Sequence, residues 1–329
     1  MSSNRRSFLQ QGMATAGMAI SGIRSAAAQS LERVTFRFNW SWVANYAPVV
    51  MGYQRGYFKE QGIDLIIGQG KGSGATVRQA GAKNDMFVWA DASALLVSAA
   101  QGVPVKGLMI VTKSNLGVLW IEGRTSIKTA RDLIGKKVSA TAGDGNTQMW
   151  PAVMAANNIK PGEVELIYLD GTASLAALRE GRVDAAFGGA SDQPVTLRVA
   201  GFPARCLTFA DLGVATLGSG LITHPDMIKE RPDLVRKMIA AIQKSWTAGL
   251  EDPSAAVQAL LKHAEVPLNP SVLRDGLQVF QGLATKTQPV GLIEASAMQK
   301  TLDVLRQYGG VKTDLPATAF YTNEFISKA

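Results

Sequence analysis

"GYFKEQGIDLII", residues 56–67, passes from one kind of secondary structure to another at a single residue. Gly62 can take the left-handed conformation that ends a helix, because it has no Cβ to clash there. Ile63, Leu65 and Ile67 then start a strand. The same alternation spreads outward: "VTFRF" (34–38), "MFVWA" (86–90) and "VPVKGLMIV" (103–111) are short apolar runs separated by segments with helical spacing. It resumes with "KKVSAT" (136–141), "VELIYL" (164–169) and "VDAAFGG" (183–189). Strand and helix in turn are the pattern of a mostly parallel sheet, so the fold class is α/β.

After about residue 222 the chain reads as helices. "DLVRKMIAAIQKSWTAGL" places Leu234, Met238, Ile242 and Trp246 along one face, which makes Trp246 a core residue. Pro232, Pro253, Pro267 and Pro270 lie where helices should start or stop. "LGVLWIE" (116–122) and "ATLGSGLITH" (215–224) read as extended crossings around the middle block. The expected organisation is a first lobe from 31–116 plus 222–329, with the C-terminal helices, and a second lobe from 117–221.

Residues 1–28 read as an address rather than fold. Arg5 and Arg6 are adjacent, Phe8 and Leu9 follow, and Ala26, Ala27 and Ala28 supply a cleavage site, the pattern of a twin-arginine signal peptide. Gln29 follows instead of a cysteine, so the expected product is soluble, periplasmic and not lipid-anchored. Without Arg5, Arg6 and Arg24 the 34 basic residues become 31 against 26 acids, a net charge of about +5. That mild charge, with no Lys/Arg run, argues against a nucleic-acid partner. No apolar stretch after the signal reaches the ~20 residues of a membrane span. Cys206 is a lone cysteine in an apolar run and reads as a small buried hydrophobe. His224 and His263 are the two histidines; one precedes Pro225 at a helix start, and the other sits where a cation would complement a helix C-terminus. No spacing suggests a metal site, a nucleophile with its base, or a cofactor.

"APVVMGYQRGYFKEQGIDLII" (47–67) resembles the signature segment of periplasmic solute-binding proteins of ABC importers, the branch for nitrate, alkanesulfonates, taurine and thiamine-pyrimidine precursors. "SLAALREGRVDAAFGG" (174–189) resembles the matching segment of their second lobe. The resemblance implies the two-lobe type II binding-protein fold: two mixed, mostly parallel sheets flanked by helices, a ligand cleft between lobes, and two crossover strands as the hinge. It also implies a monomer that delivers a small-molecule solute to an inner-membrane ABC permease with its cytoplasmic ATPase.

In open α/β sheets ligands bind outside the carboxyl ends of the strands. Four loops and the two crossings qualify. "NWSWVANY" offers the rings of Trp40, Trp42 and Tyr46 beside Asn39 and Asn45. "GQGKGSGAT" (68–76) lacks the spacing of a Walker or dinucleotide loop. Its Lys71, Gly72, Ser73 and Gly74 instead let a ligand approach bare backbone, with Ser73 as the expected helix cap. Asp91 or Ser93 would begin the next helix. In the second lobe, Asp144, Asn146, Thr147 and Gln148 face Ser191, Asp192 and Gln193 of "GGASDQP" (188–194).

With three carboxylates and only Lys71 as a cation, these loops favour an amino-pyrimidine-like or other aromatic solute over nitrate, an alkanesulfonate or taurine. Two other functions fit the fold: a pyrimidine-synthase-like enzyme, whose cysteine-rich motif and active histidine are not matched, and a solute sensor for a membrane kinase.

Overall fold

The computed structural model describes residues 30–326, and the export-signal reading of residues 1–28 lies outside them. The chain opens with β1 (Glu32–Phe38), α1 (Ala47–Gln54), the single turn α2 (Tyr57–Glu60) and β2 (Ile63–Gly68). Gly62 has φ +76° and its N–H bonds the Lys59 carbonyl at 2.9 Å, so the helix-to-strand switch occurs where a glycine permits it. Next come α3 (Ser73–Gly81), β3 (Phe87–Asp91), α4 (Ala92–Ala100) and β4 (Lys106–Ile110).

The chain then crosses over into β5 (Leu116–Ile121), β6 (Lys137–Ala140), α5 (Gly145–Ala156), β7 (Glu165–Tyr168), α6 (Gly171–Glu180), β8 (Ala185–Gly189), α7 (Gln193–Val199) and β9 (Ala204–Thr208). It returns through β10 (Ser219–Thr223) to α8 (Pro225–Glu230), α9 (Pro232–Glu251), α10 (Pro253–His263), α11 (Pro270–Leu283) and α12 (Ala295–Tyr308).

Two five-stranded mixed sheets result, ordered β2-β1-β3-β10-β4 and β7-β6-β8-β5-β9. Each keeps its parallel βαβ strands together, β2-β1-β3 and β7-β6-β8. Each also takes in one antiparallel strand from a crossover: β10 runs between β3 and β4, and β5 between β8 and β9. The pairing places Leu116 in the second sheet and all of Ser219–Thr223 in the first, so the sheets divide the chain a few residues away from the expected 116/117 and 221/222. β9 carries "ARCLT", and Cys206 there is half-buried on an edge strand rather than inside the core.

One core runs continuously from Val88, Ala90 and Leu95 through Met298, Leu302 and Leu305 of α12 to Trp150, Phe187 and Phe209 around the second sheet. Another fills the space between the first sheet and α1, α9, α10 and α11. The apolar face of α9 buries Leu234, Met238, Ile242 and Trp246 there, each contributing about 1.5–3 kcal/mol. Helices α1 and α9 approach so closely that a Cβ on Gly249 would lie 2.5 Å from Pro48 Cβ. A third cluster packs Leu119, Ile121 and Ala186 under Ala177, Leu178 and Leu197.

Candidate ligand-binding cleft

The carboxyl ends of β1 and β3 in the first lobe face those of β6 and β8 in the second, and a cavity of about 140 Å³ lies between them. An engineered cavity of about 150 Å³ holds one benzene. The space therefore suits a single ring.

The first-lobe wall is one hydrogen-bonded chain. Tyr46 Oη donates to Asn39 Oδ1 at 2.7 Å, Asn39 Nδ2 donates to Ser73 Oγ at 2.7 Å, and Ser73 Oγ donates to Asp91 Oδ2 at 2.7 Å. Ser219 Oγ, at the start of β10, donates to Asp91 Oδ1 at 2.6 Å. Tyr46 is buried and stacked on Phe38 at 3.9 Å between centroids. Burial, then the nearby Asp192 and Asp91 carboxylates, hold its hydroxyl neutral, with a pKa well above the usual range for tyrosine. Each hydroxyl in this chain donates within the protein. Asn45, also buried against the cavity, keeps an Oδ1 with no partner.

The second-lobe wall comes from the turns after β6 and β8. Asp144 caps α5, accepting the Thr147 N–H at 2.7 Å and Asn146 Nδ2 at 3.3 Å, and Asn146 Oδ1 in turn accepts the Gly117 N–H at 3.0 Å. Burial outweighs the Thr147 and Asn146 bonds and raises the Asp144 pKa. Asp192 opens α7 without a side-chain cap bond, its carboxyl enclosed at the cavity wall. Burial pushes that carboxyl up to about 7, against a smaller downward pull from the Ser191 side chain. A Cβ on Gly145 would sit 4.0 Å from Asp91 Oδ2, so the first turn of α5 faces the opposite lobe's carboxylate. Across the mouth, the partly exposed Trp40 lies over Gly171 at the start of α6.

Of the expected residues, Asn39, Trp40, Asn45, Tyr46, Gly72, Ser73, Asp91, Asp144, Asn146 and Asp192 come together around this cavity. Others do not line it. Trp42 turns away and plugs the end of the sheet, edge-on to His263 at 5.0 Å and to Phe38 at 6.1 Å. His263 sits between Trp42 and Tyr53, and burial lowers its pKa, so it is a neutral packing ring rather than a cation for the helix dipole.

Lys71 is exposed, Gly74 lies within α3, and Ser93 is buried in α4. Ser73 does not cap α3: Gly72, at φ +109°, holds that position, which frees the hydroxyl for Asp91. Thr147 spends its hydroxyl on the Thr141 carbonyl and Gln148 its amide on Gly143. Ser191 is buried behind the wall, accepting Asn115 Nδ2 at 3.3 Å.

Gln193, expected beside Asp192, also lines the cavity, as do Asn115, Ser219 and Phe187. Asn115 and Ser219 belong to the crossings, the one region where sequence pointed without naming residues. Among the described residues the lining holds Asp91, Asp144 and Asp192 and no Lys, Arg or His. No group of His, Cys, Asp and Glu among the described residues is arranged to hold a metal ion.

Comparison with known proteins places residues 43–256 within the model of the NMT1/THI5-like family. The riboflavin-binding protein RibY of Chloroflexus aurantiacus is 22% identical over 306 residues, covering 90% of this chain and 87% of that protein. The 4-amino-5-hydroxymethyl-2-methylpyrimidine phosphate synthase THI12 of Saccharomyces cerevisiae is 28% identical over 240 residues, 69% of this chain and 70% of the synthase. Among solved structures, the periplasmic aliphatic sulphonate binding protein SsuA from Escherichia coli superposes with a TM-score of 0.70 at 15% identity, covering 88% of this chain and 92% of that one. The fold is that of the periplasmic binding proteins.

Proposed function

We propose that this chain, which belongs to the NMT1/THI5-like family, is the periplasmic solute-binding component of an ABC importer and binds a small, amine-bearing aromatic solute. The observation that carries the reading is the cavity wall: three carboxylates, that of Asp192 without a cap bond, and no cationic side chain. Such a wall asks its ligand for donors. An amine would give the Asp192 carboxylate a donor, whereas a sulfonate or nitrate would leave that carboxylate without one at about 1–3 kcal/mol. The volume suits one aromatic ring better than the three fused rings of a flavin.

Ligand contacts to both lobes would favour the closed arrangement, and a permease with its ATPase would receive the solute. Export by the twin-arginine route belongs to the same reading.

The relation to pyrimidine synthases raises a second reading, turnover of the bound ring. Binding without chemistry is better supported, because His263 packs behind the wall and His224 caps α8 by accepting the Asp226 N–H at 3.0 Å. Neither histidine lines the cavity to serve as a base. Incubating the protein with amino-pyrimidines and following products by mass spectrometry tests this. Retention of unchanged solute is expected, and sustained product formation would overturn the binding-only role.

A further inference from the structure

We propose a second binding site, for a small amphipathic anion, in the groove where the two crossovers meet α12. This groove of about 410 Å³ is separate from the cleft and shares no lining residue with it. Its floor is apolar, formed by Ala210, Ala215, Leu217 and Ala297. Its rim carries three lysines from three different segments: Lys113 from the first crossover, Lys286 from the chain after α11, and Lys300 from α12.

The frame is fixed by backbone. Lys113 N–H bonds the Leu283 carbonyl at 2.8 Å, Ser114 N–H the Thr216 carbonyl at 3.0 Å, and Leu217 N–H reaches Thr301 Oγ1 at 3.1 Å. The lysine stems are thus anchored on a preorganised scaffold rather than on a loose loop.

None of the three ammonium groups has an ion-pair partner among the described residues, whereas Lys83 and Lys244 each meet a carboxylate at 2.5 Å. Glu294 is the one acid in the groove, so the rim is left with an excess of positive charge. The net charge of about +5 without the signal segment, 31 basic against 26 acidic residues, adds to the attraction for anions. An apolar floor under a cationic rim matches a ligand with a compact hydrophobic body and one carboxylate or sulfonate. A purely polar anion would leave the floor uncovered, and a neutral apolar molecule would leave the lysines unpaired.

The test is calorimetric titration of the whole protein with 4-tert-butylbenzoate, with 4-tert-butylbenzamide as the uncharged isostere. The carboxylate should bind with one equivalent and the amide at least about tenfold more weakly. The triple variant K113Q/K286Q/K300Q should lose about tenfold in affinity for the carboxylate, as expected for removing several exposed charge contacts. If that variant does not fold, Lys300→Gln alone should cost about threefold. Filling the floor with Ala297→Phe should weaken carboxylate and amide alike. Absence of binding to the wild type, equal binding of acid and amide, or a lysine variant that binds as well as wild type would each overturn the site.

Discussion

Replacing Asp192 by Asn should make the protein more stable at pH 8 and leave its stability unchanged at pH 4. A carboxyl moved by burial from 3.8 to about 7 carries up to about 4 kcal/mol of preference for its protonated form, at about 1.4 kcal/mol per tenfold change in proton affinity. Asp192 faces the cleft, where water screens part of that penalty, so about 2–4 kcal/mol is expected. The sign follows from proton counting. Between about pH 4 and 7 the folded state holds the Asp192 proton and the unfolded chain does not, so stability is highest below 4 and falls as pH rises through 7.

The asparagine cannot ionise and escapes that fall. The raised pKa of Asp144 acts in the same direction but is common to both proteins and cancels in the difference. Urea unfolding of wild type and Asp192→Asn from pH 3 to 8.5 should give curves that coincide below about pH 4, separate between about pH 4 and 7, and keep a constant gap above that. Curves that keep the same separation from about pH 3 to 8.5, or a wild type more stable than the variant at pH 8, would refute a pKa raised by burial at Asp192.

Gly249→Ala places a methyl 2.5 Å from Pro48 Cβ and should destabilise the α1–α9 contact by about 1–3 kcal/mol, read as a lower denaturation midpoint. Trp42→Ala empties the plug against Phe38 and His263, costing about 3–5 kcal/mol of stability. Its effect on cleft affinity, measured well below the unfolding transition, should be small; a large loss would return Trp42 to the ligand site.

Fold was legible because its signals are local and repeated. The glycine switch at Gly62, the four-residue stripe of α9 and the apolar runs of β1, β3, β6 and β8 each follow from a few neighbouring residues. β9 was the strand that sequence passed over: its "ARCLT" run lies at a sheet edge, half-buried, where the apolar signal is weak. The site was legible by loop but not by side chain. Trp40 and Trp42 are two residues apart, yet one faces the cleft and the other the sheet end, a choice made by packing against α10 that no periodicity encodes. Ser73 is likewise a sensible cap by sequence, and its turn toward Asp91 depends on Gly72 taking the cap position at φ +109°. Asn115 and Ser219 are single polar residues in crossings, and they reach the cavity only because both sheets admit an antiparallel strand there.

The central claim is that the cleft selects for donors and against anions. Competition calorimetry at pH 7.5 tests it most directly, titrating the protein with 4-amino-5-hydroxymethyl-2-methylpyrimidine in the absence and presence of excess taurine, and repeating the titration on Asp192→Ala. The account predicts one equivalent of amine bound, no displacement by taurine, and a loss of about 1–3 kcal/mol on removing the carboxylate. Displacement of the amine by taurine, or amine binding indifferent to Asp192→Ala, would contradict it.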